Sequence, residues 1–241
     1  MKKNLYVKIS SKDVLIIADI QKDFLPGGTL TVKEGDLIVP ALNEYGKIFS
    51  KVNAKIVASR DWHPQNHASF TDQGGPWPPH CIQETDGAAF SSDLKLPKGT
   101  IIVSKATDPN KEAYSVFDGT DLGEQLISQG TKRIFIGGLA TDYCIVTSVL
   151  DARKMGLDVV VLADATRGIN VKPDDVDRAF EKMRLSGAIP ATLEDFPEPE
   201  TLTGVESSAE VVADEPLGKF YVKKKARMRS KGSYKRVRTE H

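Results

Sequence analysis

The sequence predicts a doubly wound, Rossmann-like α/β fold, a three-layer sandwich whose mostly parallel sheet is flanked by helices. Three observations predict it. Five short runs are apolar without polar alternation, helical stretches fall between them, and residues capable of chemistry stand at the ends of the runs. Strands apolar on both faces belong in a parallel sheet covered by helices.

The first run, VLIIA at 14–18, ends in Asp19. KIVAS at 55–59, TIIVS at 100–104, RIFIG at 133–137 and DVVVL at 158–162 repeat the pattern. Helices are predicted around 36–50, 121–129, 142–156 and 173–186, the last with Pro173, Asp174 and Asp175 in its first turn. Alternating β and α units of this kind wind into one open sheet. Ligands of such sheets bind beyond the C-terminal ends of the strands. Asp19, Asp61 and Lys105 follow the first three runs, so one crevice should collect them.

Composition fits a single buried domain with a tail. The 241 residues are 40% hydrophobic and 27% charged, with no net charge. That zero hides an asymmetry, because ten basic residues and one acid follow Pro216, leaving the chain before them at −9. Two cysteines, Cys81 and Cys144, are too few for a disulfide framework. No apolar run reaches the roughly 18 residues of a membrane span, and the N-terminus has no signal-peptide pattern. The expectation is a cytoplasmic protein with reduced thiols and no membrane partner.

Three of the four histidines, His63, His67 and His80, lie within one stretch that also holds Asp61. An Asp-x-His pair leaving a strand aims a carboxylate and an imidazole at one point, and a third ligand from a following loop leaves positions open to substrate. The plain alternative is three unrelated loop histidines. The fourth run leads through Gly137-Gly138-Leu139-Ala140-Thr141-Asp142-Tyr143 to Cys144, a glycine-bearing turn into a helix. A cysteine in the first turn of a helix has a stabilised thiolate, a nearby lysine lowers its pKa further, and a carboxylate accepts its proton. Asp19, Lys105 and Cys144 thus read as a nucleophilic triad. Their separate alternatives are a turn cap, a solvated lysine and a small buried apolar residue. Backbone N–H groups of Ala140 and Cys144 are the candidate oxyanion donors. The turn lacks the glycine spacing of phosphate-binding loops.

Four segments carry a resemblance to a known family: Ala18-Asp19-Ile20-Gln21-Lys22-Asp23-Phe24 with Pro26-Gly27-Gly28; Arg60-Asp61-Trp62-His63-Pro64; Trp77-Pro78-Pro79-His80-Cys81; and 137–144. The chain resembles the isochorismatase-like cysteine hydrolases and, within them, the nicotinamidases, over roughly residues 12–195. The resemblance implies catalysis by Asp19, Lys105 and Cys144, and one divalent metal on Asp61, His63 and His80. Zinc is the first expectation for that metal, with iron or manganese as alternatives. It also implies a cis peptide before Ala140. The substrate implied is nicotinamide, hydrolysed through a cysteine thioester to nicotinate and ammonia in NAD salvage. Another small amide or a carbamoyl compound is the alternative. Phe24 and Trp77 suit a flat ring, with core packing as their alternative. Tyr114, in the family's Ala-Tyr-Ser, joins the pocket unless it is a surface aromatic. His67 is either a further ligand or a residue behind the ligands.

The hydrolase domain is expected to span 1–197, and 198–241 to be an acidic linker and a basic, disordered tail. Basic tracts with aromatics bind anionic polymers, and weak binding of that kind is the tail's candidate role. The plainer reading is a tail with no partner, or one folded back on the acidic body. Oligomeric state is left open, a homo-oligomer included.

Overall fold

The computed structural model describes residues 7–196. The basic tail and the boundary near 197 therefore lie outside the described residues. Six parallel strands form one sheet in the order β3-β2-β1-β4-β5-β6. They are β1 (Val14–Ala18), β2 (Lys55–Asp61), β3 (Ile101–Lys105), β4 (Arg133–Leu139), β5 (Asp158–Arg167) and β6 (Ile189–Ala191). The helices are α1 (Val39–Lys51), α2 (Leu122–Ser128), α3 (Val146–Lys154) and α4 (Asp175–Leu185).

Alternation along the strands builds two cores. Leu15, Ile17, Ile56, Phe135 and Val160 face α1 through Val39, Leu42, Tyr45 and Phe49. Val14, Ile16, Val57, Ile134, Ile136, Val159 and Val161 face α2, α3 and α4 through Leu122, Leu126, Val146, Val149, Ala179 and Met183. Each fully buried aliphatic side chain of these layers contributes about 1.5–3 kcal/mol. The three-layer, doubly wound architecture matches the sequence expectation, with the sheet wholly parallel. No described helix is long and apolar enough to cross a membrane.

The local differences have physical reasons. β6 was not expected, because three residues around Pro190 give no periodic signal and proline is tolerated only at such an edge. β2 and β3 run on to include Asp61 and Lys105, so these side chains stand on strand ends, not in the following loops. α4 begins at Asp175, not Pro173, since Asp174 takes a left-handed φ of 66°. The helix expected from 142 is preceded by a wide π turn over Thr141–Ile145, with the Ile145 N–H donating to the Ala140 carbonyl.

The strand order places a topological switch between β1 and β4, where the connections leave in opposite directions and a crevice opens. Gly138 lets the two strand ends approach there. Its φ is 124°, and a Cβ at that position would lie 2.0 Å from the Ala18 carbonyl oxygen.

Candidate active site

Each strand end delivers one group to the crevice. β1 delivers Asp19, β2 Asp61, β3 Lys105, and the turn after β4 Cys144. All four are buried, Asp19 completely and Lys105 to within 1%. Three non-glycine residues here, Asp19, Ala106 and Cys81, hold left-handed backbone with φ of 54°, 52° and 46°. Such conformations cost on the order of 1–3 kcal/mol each and persist only where the surroundings enforce them.

Lys105 is the hub. Its ammonium lies 3.1 Å from Asp19 Oδ2 and 3.4 Å from Cys144 Sγ, and it pairs with Asp61 Oδ1. It also reaches the Ala113 carbonyl at 3.4 Å. Asp19 Oδ1 accepts a 2.7 Å hydrogen bond from Ser59 Oγ. A carboxylate oxygen of Asp19 and the Cys144 sulfur lie within 4.8 Å of each other. The structure thus brings together the three residues expected as a triad, and joins them to Asp61 through one lysine.

Burial works against the Lys105 charge, but Asp19, Asp61 and Cys144 outweigh it and hold its pKa well above the usual value. Burial also pushes against the Asp61 charge, yet Lys105 and His63 keep its carboxyl below the usual range. Asp19 goes the other way. Its complete burial, opposed by Lys105, raises its pKa. Cys144 departs from the sequence expectation of a lowered thiol pKa. Burial raises it well above the ordinary value, with Lys105 opposing and Asp19 and Asp61 adding to the rise.

Next to the lysine, ligand atoms of Asp61, His63 and His80 all lie within 4.8 Å of one another. His63 Nδ1 meets the Ala106 carbonyl at 3.3 Å and His80 Nδ1 meets the Pro78 carbonyl at 2.7 Å. A carbonyl only accepts, so both rings carry their proton on Nδ1 and present a lone pair on Nε2, the tautomer a metal requires. Among the described residues, two buried side-chain polar atoms lack a hydrogen-bond partner, His63 Nε2 and Asp19 Oδ2. Both are in this site. Asp19 Oδ2 is nevertheless ion-paired with Lys105 at 3.1 Å, and His63 Nε2 faces Asp61 Oδ2 at 3.7 Å. Burial lowers the pKa of His80, which favours the neutral ligand form.

His67 stands apart. Its ring lies 4.2 Å from that of His63, but Nδ1 meets Ser69 Oγ at 2.8 Å and Nε2 the Lys111 carbonyl at 3.1 Å. Burial, then His63, lowers its pKa. With both nitrogens engaged, it ties its own loop to the loop after β3.

A small, narrow pocket opens on these groups, lined by Phe24, Asp61, Trp77, His80, Tyr114, Ala140 and Cys144. Every residue expected at the pocket is on its wall. Phe24 belongs to the core as well, and its ring lies 5.5 Å from that of His80. Trp77 donates its indole N–H to Tyr114 Oη at 2.9 Å. Leu30, Tyr143 and Ile169 complete the wall and were not expected. Tyr143 had a signal, being an aromatic beside the cysteine, whereas Leu30 and Ile169 come from loops without a motif. A wider, open depression lies beyond Tyr143 among Asp142, Lys172, Asp175, Arg178 and Lys182. It holds none of the converging groups, so size does not identify the site. The Leu139–Ala140 peptide is cis, as the resemblance implies.

Comparison with known proteins agrees with this geometry. The Isochorismatase domain matches residues 13–195. The nicotinamidase of Escherichia coli (strain K12) is 35% identical over 205 residues, covering 76% of this chain and 96% of that one. The pyrazinamidase of Pyrococcus horikoshii, solved in complex with zinc, has a TM-score of 0.72 and 50% identity, covering 76% of this chain and 99% of its own. PnC1 from L. infantum, solved in complex with nicotinate, has a TM-score of 0.73 and 36% identity, covering 80% of this chain and 99% of its own. Since the domain match runs from the residue before β1 to the end of the described fold, this chain belongs to the isochorismatase family.

Proposed function

We propose that the chain is a nicotinamidase, a metal-dependent amidohydrolase that converts nicotinamide and water to nicotinate and ammonia. The observation that carries this reading is the convergence of two groups through Asp61, the ligand set Asp61, His63 and His80 and the set Asp19, Asp61 and Cys144, beside a pocket lined by Asp61, His80 and Cys144. The relatives named above support it, the Escherichia coli protein through its name, the Pyrococcus horikoshii pyrazinamidase through its bound zinc and the L. infantum protein through its bound nicotinate.

In this reading Asp19 Oδ2 takes the Cys144 proton as the sulfur attacks the carboxamide carbon. The C–S bond forms, and the electron pair moves to an oxyanion received by the N–H groups of Ala140 and Cys144. Collapse breaks the C–N bond, and Asp19 returns its proton to the leaving ammonia. Asp19 then deprotonates a water that attacks the thioester, and the thiolate leaves and is reprotonated. Lys105, in contact with Asp19, Asp61 and Cys144, holds acid, nucleophile and ligand in register. Phe24 and Trp77 flank the ring, and Tyr114 fixes Trp77 through its hydroxyl.

The donor set of Asp61, His63 and His80 fits one divalent ion, zinc first and iron or manganese next. When bound, that ion supplies a Lewis-acid position for the pyridine nitrogen, so that binding orients the carboxamide towards Cys144. The substrate reading is tested by comparing nicotinamide with benzamide, which lacks the ring nitrogen, and with an N-carbamoyl compound. We expect kcat/KM for benzamide to fall at least about tenfold, equivalent to 1.4 kcal/mol. Equal rates, or preference for the carbamoyl compound, would overturn it.

His63→Ala and His80→Ala are each expected to lose most bound metal, measured by elemental analysis after gel filtration. His67→Ala is expected to retain it, because both His67 nitrogens are occupied by Ser69 and Lys111. Metal loss in His67→Ala equal to the other two would make it a ligand.

Removing residues 217–241 is expected to leave the nicotinamide rate nearly unchanged, since every proposed catalytic group lies between Asp19 and Cys144. The full-length chain should be retained on an anionic polymer at low salt and the truncated chain should not. Loss of folding or turnover on truncation would contradict a domain that ends near 197.

A further inference from the structure

The turn that leaves β1 makes contacts that the catalytic reading does not use. β1 pairs with β2 only as far as Ala18 opposite Ser59, and the Asp19 N–H then donates to the Ser59 carbonyl. At Asp19 the chain turns away, while β2 runs on to Asp61. On its other side β2 stays paired with β3, Asp61 standing opposite Lys105. The Asp61 peptide groups that face the departed strand meet the side chain of Gln21 instead. Gln21 Oε1 accepts the Asp61 N–H at 2.8 Å, and Gln21 Nε2 donates to the Asp61 carbonyl at 2.7 Å. One amide thereby replaces the peptide unit of a missing strand. Its second N–H donates to the Ala88 carbonyl at 3.0 Å, and Gln21 is completely buried.

Two residues on, Asp23 does the same for the other ligand segment. Its Oδ2 accepts the Cys81 N–H at 2.7 Å, beside His80. That segment is already knit to the first, since the His63 N–H donates to the Cys81 carbonyl at 3.0 Å. Asp23 is buried, and its carboxylate is packed so closely that a Cβ at Gly87 would lie 2.2 Å from it. The turn's own backbone is held by bonds from the Lys22 N–H to the Ala89 carbonyl and from the Asp23 N–H to the Gly87 carbonyl.

We infer that the turn after β1 is the frame that sets the spacing of the metal ligands, with Gln21 as the positioning residue for Asp61 and Asp23 as that for His80. The inference rests on the reading of Asp61, His63 and His80 as ligands. Neither side chain reaches the ion. Each holds the backbone of a ligand segment, so its loss displaces a donor atom without removing one. Side chains that orient metal ligands typically account for 10–100-fold in metal affinity.

The test is a cobalt(II) titration of the metal-free full-length chain, followed by the visible d–d absorption and by competition with a chelator. Gln21→Met keeps the length and volume of the side chain but neither hydrogen-bond role. It is expected to bind cobalt about 10–100-fold more weakly with an altered d–d spectrum. Asp23→Asn keeps an acceptor for Cys81 and loses the charge, so a smaller loss is expected. Tyr45→Phe serves as the comparison, because it removes a part-buried 2.8 Å bond to Asp164 and touches none of these groups. It should lower thermal stability and leave cobalt affinity and spectrum as in the parent.

Parent-like affinity and spectrum in both Gln21→Met and Asp23→Asn would overturn the inference. So would a loss in Tyr45→Phe that matches them at equal loss of stability. Should Gln21→Met not fold, Asp23→Asn alone decides between these outcomes. A parent chain that binds no cobalt overturns the ligand assignment itself, and the inference with it. Binding by the parent and by Tyr45→Phe, with Gln21→Met and Asp23→Asn weakened, supports both.

Discussion

Cys144→Ala is expected to leave less than about 1% of the parent rate of ammonia release, while the fold and metal content are unchanged. Removing one member of a catalytic unit costs orders of magnitude, because the remaining groups have nothing to act on. The side chain is small, 6% exposed and set in a π turn held by backbone bonds, so a methyl group fits in its place. Mass spectrometry of the parent quenched during turnover should find the acyl group on the peptide containing Cys144. An adduct on Cys81, or residual activity above that level, contradicts the assignment. Cys81 is fully buried in the α1-facing core, and burial raises its thiol pKa well above normal.

Lys105→Met is expected to be the most damaging substitution for stability as well as for activity. The lysine is the shared cation of two buried carboxylates, Asp19 and Asp61, and is itself only 1% exposed. Removing one partner of a buried ionic cluster leaves charge without compensation, at a cost of about 3–5 kcal/mol. Urea denaturation of the metal-free chain should show the midpoint falling with an unchanged slope. Turnover should be lost even where the variant is folded, since Asp19 and Cys144 lose their common contact. A variant with parental stability would mean that Lys105 is not the cation balancing these carboxylates.

Much of the fold was legible in the sequence because this sheet is covered on both faces. Strands such as VLIIA and DVVVL are continuous apolar runs, and five of them separated by helical stretches fit a buried parallel sheet. The rule that ligands bind beyond the strand ends then points Asp19, Asp61 and Lys105 to one crevice. β6 was hidden because Ile189, Pro190 and Ala191 are too few to show a period. The π turn at Thr141 was hidden because its wide geometry depends on how β4 meets β1 at Gly138.

The site divides in the same way. Chemically distinctive residues, the aspartates, histidines, lysine and cysteine, announced themselves by type and by position at strand ends. Residues acting through backbone contacts did not. Gln21 and Asp23 lie inside a quoted motif, yet their part becomes visible only once β1 is seen to stop at Ala18 while β2 continues. Ser59 looked like a strand residue and proves to hold Asp19 Oδ1. The burial that raises the Cys144 thiol pKa is not visible in a sequence, which shows the helix start and the lysine that oppose it.

The measurement that bears most directly on the account is ammonia release from nicotinamide by the full-length chain, with nicotinate measured alongside. The account predicts equal amounts of both products, loss of turnover on treatment with a strong chelator, and recovery when zinc is restored to one ion per chain. No release from nicotinamide by the metal-loaded chain, or a rate indifferent to the chelator after metal removal is verified, would contradict it.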